Sequence, residues 1–479
     1  MKHQVEAIHK ATYCKDLFLA WDMGTGKTCA IIQMIRDRCR EEGRLRRVLI
    51  LAPLVVLHNW KNEFAKFSNI SPDMVHVLEG PVKKRVAQVE KQKGFSAIFI
   101  TNYDAMQDPG MLRALQEWDV EILVCDESHC LKNYKSKRAK NIALLADKCK
   151  HRYLLSGTPI LNSMMDLFMQ YRILDGYLGS KATFGTNFFV FRSRYFWDKN
   201  AAWSGRSNYF PKWEPRDDVQ EILQKLIYAK TLRVMKSDCL DLPDLVTQEI
   251  EVGLNAEQER LYKQMQKEFV TFIETENSKG TPKAIVARLA ITKVLRLQQI
   301  VSGFVKTDDG ETIRIKDVPR LQSLSGLLES ITPWHKVIVW ASFKENYRMI
   351  ADLCKGMEIE YREIHGEQNA KEKEEAANDF NKNPEVRVLI GNQSAGGVGI
   401  NLVSASYAIY YSRNFKLGDD LQSEARNYRR GSEIHAKITR INLVTRDTID
   451  ELIDESLRGK LDLSERILDF TQTITKERK

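Results

Sequence analysis

Short apolar runs alternate with longer amphipathic stretches through residues 1–175. The runs fall at 17–20, 48–51, 97–100, 122–124 and 153–155. Apolar runs of strand length separated by helix-like segments predict a parallel sheet covered by helices. The pattern returns at 336–340, 386–390 and 408–411. Between these two regions, about 176–330, strands are scarce and helical periodicity dominates, most clearly over 261–272 and 284–300. Residues 276–282, rich in polar and turn-forming types, read as a loop between those helices. The predicted fold is α/β, with a first lobe over 1–175, helical insertions and a linker over 176–330, a second lobe over 331–445, and closing helices over 446–479. No sequence repeat and no low-complexity tract appears.

Length supports this division, since 479 residues can bury two or three cores. The formal net charge of +9 is a modest basic excess, compatible with nucleic acid but silent about fold. Eight cysteines form no C-x-x-C pair and no Cys/His ligand spacing, which argues against a zinc site and a disulfide framework. A reducing, intracellular, soluble setting is expected: bacterial or phage-infected cytoplasm, or a nucleus. Residues 1–10 have no signal-peptide core, and no apolar run approaches a membrane span, so no membrane partner is expected.

Candidate chemistry sharpens the picture. Asp22-Met23-Gly24-Thr25-Gly26-Lys27-Thr28 lies between the first apolar run and a helix-like segment. A strand, a glycine-rich turn, Lys-Thr and a helix make a phosphate-binding loop. The glycines let backbone N–H groups close on phosphate oxygens, and the helix N-terminus adds partial positive charge. Lys27 supplies charge for the β/γ-phosphates and Thr28 a hydroxyl ligand for Mg²⁺. Trp21 stands where the strict loop begins with glycine. About a hundred residues on, the run at 122–124 leads to Asp126-Glu127-Ser128-His129. Asp126 at a strand's carboxyl end suits Mg²⁺, and Glu127 suits the attacking water. His129 is placed to couple this site to Ser156-Gly157-Thr158-Pro159. Far downstream, Gln422-x-x-Ala425-Arg426-x-x-Arg429-x-Gly431 follows Ser394-Ala395-Gly396-Gly397-Val398-Gly399. Arg426 and Arg429, spaced i, i+3, are expected on one helix face as a guanidinium pair for a γ-phosphate.

In this order the motifs resemble the Swi/Snf family of superfamily-two helicase-like ATPases, over almost the whole chain. His3-Gln4 is similar to the end of its adenine-reading motif. Pro53 to Trp60 resembles motif Ia, Asn102 motif Ib, and Lys132-Asn133 the basic extension of motif II. Ser342 and His365 stand in motif IV and its companion. Arg233-Val234-Met235-Lys236 with Leu242-Pro243 resembles the inter-lobe linker, and the end of the chain the brace helices. The resemblance implies two RecA-like lobes and a DNA-dependent ATPase that moves along double-stranded DNA and remodels protein–DNA complexes. Alternatives are a strand-separating DNA or RNA helicase and an ATP-gated DNA-binding scaffold. The chain resembles a minimal bacterial or viral motor without reader domains, with an unidentified protein partner supplying specificity.

The same resemblance assigns residues. ATP and Mg²⁺ are the implied cofactors. Gln4, Gly24, Thr25, Gly26, Lys27, Thr28, Gly399 and Gln422 are implied for the nucleotide, Thr28 and Asp126 for the metal. Lys27, Asp126, Glu127, Arg426 and Arg429 are implied for catalysis. DNA phosphates are assigned to Pro53, Trp60, Asn102, Lys132, Asn133, Ser342, His365, Ser394, Gly396 and Gly397. Departures such as Asn414-Phe415-Lys416 and Gly431-Ser432 remove no catalytic group. The aromatic and basic stretch 188–216 reads either as the packed core of an insertion or as a nucleic-acid or partner surface.

Overall fold

The computed structural model describes residues 1–157, 159, 163–177, 181–201, 211, 213–239, 241–278, 283–307, 309–394 and 400–459. The chain divides into two compact units. The first comprises Met1–Ala201 and Pro211–Asp241; the main body of the second begins at Leu242. The stretch 176–330 is therefore shared between the units.

The first unit is built on seven strands: β1 (Asp16–Trp21), β2 (Val48–Ala52), β3 (Val75–Val77), β4 (Ile98–Asn102), β5 (Ile122–Asp126), β6 (His151–Leu155) and β7 (Thr231–Val234). Their order is β3-β4-β2-β5-β6-β1-β7, every pair parallel. Strands β2 and β6 are buried along their whole length, as expected of a sheet covered on both faces. Phe99 and Trp118 pack at 4.4 Å between ring centroids, beside Leu49, Leu51 and Leu123. The aromatic stretch joins this core: Phe184, Phe191, Tyr195 and Phe196 are buried in it. Arg192 lies 4.1 Å over the Trp213 ring. Packing thus engages much of the described part of 188–216, while Phe189 and Trp197 remain exposed. Trp203, Arg206, Tyr209 and Lys212 lie outside the described residues.

The second unit carries β8 (Asp244–Glu251), β9 (Lys336–Ala341), β10 (Tyr361–Ile364), β11 (Val388–Asn392), β12 (Ala405–Tyr410) and β13 (Lys437–Val444). Their order is β8-β13-β12-β9-β11-β10, again all parallel. Two apolar clusters cover its faces, one around Val337, Val339, Ile350 and Ile409, the other around Ile338, Trp340, Phe380 and Tyr410. The predicted helices are present as Ala256–Ser278 and Lys283–Val301. The first runs through 276–278, where a loop is expected, because Glu276 and Asn277 do not break a helix already twenty residues long. Residues 279–282 lie outside the described residues. The helix Ile449–Gly459 packs in this unit, its backbone N–H at Ile449 donating to the Tyr262 hydroxyl at 2.8 Å. Among the described residues no helix is long and apolar enough to cross a membrane.

Candidate active site

The strand-to-helix turn after β1 forms as its residue types demand. Gly24 (φ 84°) and Gly26 (φ 87°) adopt left-handed backbone. The backbone at Gly26 would strain any residue with a Cβ, which would also displace the Gln4 side-chain amide. The helix Lys27–Glu42 starts immediately, its N-terminal N–H groups facing the turn. Thr25 is buried, its hydroxyl donating to Asp22 O at 2.7 Å. The first helix of the chain, Lys2–Tyr13, rests on the turn. Gln4 Nε2 donates to Gly26 O at 3.1 Å, and His3 Nε2 lies 2.9 Å from Thr25 O. Lys27 Nζ donates to Trp21 O at 2.8 Å and Asp22 O at 3.3 Å.

The carboxylates stand at the end of β5. Asp126 Oδ2 accepts from Trp60 Nε1 at 2.9 Å and Oδ1 from the Glu127 N–H at 3.0 Å. The Tyr103 hydroxyl donates to the Asp126 carbonyl. Burial and the neighbouring Glu127 charge raise the Asp126 pKa, opposed by Trp60 and Lys27. Burial lowers that of Lys27, opposed by Glu127, Asp126 and Asp22. Both shifts follow from burial, which disfavours the charged form of each group. Glu127 takes φ 51° and ψ 51°, left-handed backbone that non-glycine residues seldom adopt.

The contact expected of His129 is present: Nδ1 lies 3.2 Å from Ser156 Oγ and 3.3 Å from Glu127 Oε2. Burial would lower its pKa, but the Cys130 sulfur and the Glu127 carboxylate hold it at about 10. A second link is invisible in sequence. Gln170, fully buried, accepts from Ser128 Oγ at 2.8 Å and donates to Pro159 O at 2.8 Å, tying the carboxylate turn to the turn after β6. Thr158 lies outside the described residues.

Trp60 is only 1 % exposed, and its indole N–H donates to Asp126, a contact that orients this carboxylate. Pro53 follows β2, Asn102 ends β4 and accepts from Arg85, and Lys132 and Asn133 follow the short helix Ser128–Leu131. All stand at carboxyl ends of the same sheet that carries Lys27 and Asp126.

In the second unit, Ser342, His365 and Ser394 likewise follow β9, β10 and β11. Ser342 Oγ donates to Ser412 O at 3.2 Å, and the His365 ring stacks on Tyr347 at 6.0 Å. Gln422 lies on the helix Leu417–Glu424. That helix ends before the arginine pair, so Arg426 and Arg429 occupy the turns that follow instead of one helix face. The physical reason is local: the Arg426 N–H bonds back to Ser423 O at 3.2 Å, and the Arg426 carbonyl accepts from Leu402 N at 3.0 Å, pulling the chain out of helix. Arg426 is buried, Nη1 donating to Ile400 O at 3.1 Å; Arg429 is partly exposed. Gly396, Gly397 and Gly399 lie outside the described residues.

Two family models match the chain in turn: the SNF2-related domain over residues 8–302 and the helicase conserved C-terminal domain over 319–431. The chain belongs to the SNF2-related family. It is an SNF2-family ATPase, an ATP hydrolase whose two parallel sheets are its RecA-like lobes. Among similar proteins is the DNA repair and recombination protein RDH54 of Saccharomyces cerevisiae, 26 % identical over 496 residues, covering 96 % of this chain and 52 % of the yeast protein. Another is the mouse Chromodomain-helicase-DNA-binding protein 1-like, 25 % identical over 492 residues, with 98 % and 50 % covered. This SNF2 chain thus spans about half the length of these relatives. Among solved structures, a Sulfolobus solfataricus SWI2/SNF2 ATPase core in complex with dsDNA aligns at TM-score 0.43 and 24 % identity, covering 99 % of this chain and 94 % of that one.

Proposed function

We propose that this ATPase is activated by double-stranded DNA and converts hydrolysis into movement along the duplex, displacing bound proteins without parting the strands. One observation carries the reading. The carboxyl ends of β1 and β5 carry the residues proposed for ATP, while β2 and β4 of the same sheet end in Pro53 and Asn102 and the Asp126 turn runs on into Lys132-Asn133. Nucleotide state and a phosphate-tracking surface would then share one rigid sheet. Polar and cationic groups of this kind suit phosphates, which carry no sequence information. The names of the yeast and mouse relatives, DNA repair and DNA-binding, agree with that partner.

Within the site, the loop N–H groups and Lys27 would hold the β/γ-phosphates, and Glu127 would orient and deprotonate water. Thr28 and Asp126 are the residues that would hold Mg²⁺. Such a pair suits an ion coordinated mainly by nucleotide phosphates and water. Bound there, Mg²⁺ would neutralise charge on the transferring phosphoryl group. Arg426 and Arg429 are read as the second lobe's contribution to that charge, a role worth about 10³-fold or more in rate.

Steady-state ATPase assays with duplex DNA, single strands and RNA as separate activators test the reading. Duplex should stimulate most, and stimulation should fall steeply with salt as counterion release weakens phosphate contacts. Stronger activation by RNA or single strands would favour the strand-separating alternative. Turnover that survives in Lys27→Ala would contradict the site itself.

A further inference from the structure

Strand β7 returns to the first sheet after the whole helical insertion and pairs with β1, Trp21 opposite Val234. It brings a cluster of contacts onto the phosphate loop. The Asp22 N–H donates to Val234 O at 2.9 Å. The Asp22 carboxylate accepts from the Lys236 N–H at 3.1 Å on one oxygen and pairs with Arg233 Nη2 at 3.2 Å on the other. Arg233 Nη1 donates to Ala20 O at 3.1 Å and Gly157 O at 3.3 Å. One guanidinium therefore spans the strand before the loop, the loop's first residue, and the turn after β6. The peptides it secures are adjacent to those on which Lys27 rests, Trp21 O and Asp22 O. Arg233 is close enough to weigh electrostatically on the Lys27 ammonium.

The same segment is the last of the first unit. After the short helix Lys236–Asp238, only residues 239–243 separate it from β8, the first strand of the second sheet. Five residues reach at most about 18 Å when fully extended, which bounds the separation of the two elements they join.

We propose that Arg233, Asp22 and the Lys236 backbone form a latch that sets the phosphate loop, and that the 239–243 tether lets the second lobe act on nucleotide binding through it. The second half rests on the duplex-stimulated ATPase reading given above. Arg233 and Asp22 are positioning residues, acting on phosphate through the loop and Lys27.

The test measures ATP affinity by titration with a fluorescent ATP analogue, without DNA, beside thermal stability. Arg233→Ala and Asp22→Asn should each weaken affinity by about tenfold, with the double variant no weaker than the worse single, because each removes the same ion pair. Arg233→Lys should recover only part, since an ammonium cannot span three acceptors. Affinity within twofold of wild type in Arg233→Ala, or additive losses in the double variant, would overturn the latch. A Gly-Ser-Gly insertion after Asp241 leaves the latch intact. It should preserve ATP affinity while cutting duplex stimulation at least fivefold. Full stimulation after that insertion would overturn transmission through the tether. A wild-type chain that duplex fails to stimulate overturns the translocase reading and the transmission half with it, while the affinity arm alone still decides the latch.

Discussion

Left-handed backbone at Glu127 costs about 1 kcal/mol or more for a residue with a Cβ, and a sheet end that also turns Asp126 onto Trp60 holds it there. Strain falls here on the residue proposed to orient water. Two variants separate these demands. Glu127→Gln keeps the strained φ and loses the carboxylate; Glu127→Gly loses both. Each should abolish measurable ATP turnover. In urea denaturation the glycine variant should nonetheless equal or exceed the glutamine variant by up to about 1 kcal/mol. A glycine variant clearly less stable than the glutamine one would show that the turn is not strained. Trp60→Phe tests this tryptophan. An aromatic ring beside Phe64 is kept, while the N–H to Asp126 and part of the buried ring volume are lost. A hydrogen bond to a charged group contributes roughly 1.5–3 kcal/mol, so turnover should fall about tenfold or more while duplex affinity, measured by fluorescence anisotropy, stays at wild type. A selective loss of duplex affinity would place Trp60 at the DNA surface. The carboxylates, lysine and glycines were legible in sequence because the chemistry dictates residue type and spacing. The indole partner was not, since Trp60 and Asp126 meet only through the pairing of β2 with β5.

Strands that announced themselves are those buried on both faces. Strand β13, eight residues long, did not, because Thr439, Arg440 and Asn442 interrupt its apolar pattern. Arg440 is buried there with Nη2 donating to both Asp420 carboxylate oxygens at 2.9 Å and Nη1 donating to Glu424 at 3.0 Å, a compensation no linear reading supplies. Strands β7 and β8 were hidden for a different reason. They are short or edge strands with exposed faces, and their identity comes from the sheet each joins. The start of β5 shows how such polar ends stabilise a lobe. Glu121 is buried, accepting from Arg44 at 2.6 and 2.9 Å, from the Arg47 N–H at 3.1 Å and from Lys150 at 3.1 Å. Burial alone would raise its pKa, but these donors lower it from 4.5 to about 2. A depressed carboxylate stabilises the fold fully above its unfolded pKa and loses that contribution as pH falls from about 4.5 towards 2. A shift of this size corresponds to about 3 kcal/mol, reduced to about 2 kcal/mol by solvent screening of the half-exposed Arg44 and Lys150. Glu121→Gln should therefore destabilise the first lobe by about 2 kcal/mol at pH 7, with the gap closing below pH 4.5. A gap independent of pH would assign the loss to packing instead of charge.

At the scale of the molecule, the chain carries the two parallel sheets of an SNF2-family ATPase, and the proposed movement along DNA makes a testable demand on whether the duplex stays paired. Separating strands must offset stacking of about 1.4 kcal/mol per base-pair step at every advance, and it needs a rigid edge to hold the bases apart. The stretch 188–216 is the part of the sequence rich enough in aromatics to supply one. Most of its described aromatics are already engaged: Phe191, Tyr195 and Phe196 are in the core, Phe188 stacks on Tyr134 at 3.7 Å, and Arg192 covers Trp213. Phe189 and Trp197, about half exposed, lie in separate elements, the helix Phe188–Tyr195 and the hairpin strand Phe196–Asp198. Tracking along phosphates has no comparable cost, because the contacts broken behind the motor are replaced ahead of it. With ATP, the chain should therefore displace the third strand of a triplex, and do so more slowly as salt rises, while leaving a forked duplex of similar length paired. Running both substrates in one preparation makes the comparison internal. Fork unwinding at a rate near that of triplex displacement, abolished in Phe189→Ala or Trp197→Ala but not in Arg192→Lys, would identify the insertion as a working edge and the protein as a strand-separating motor.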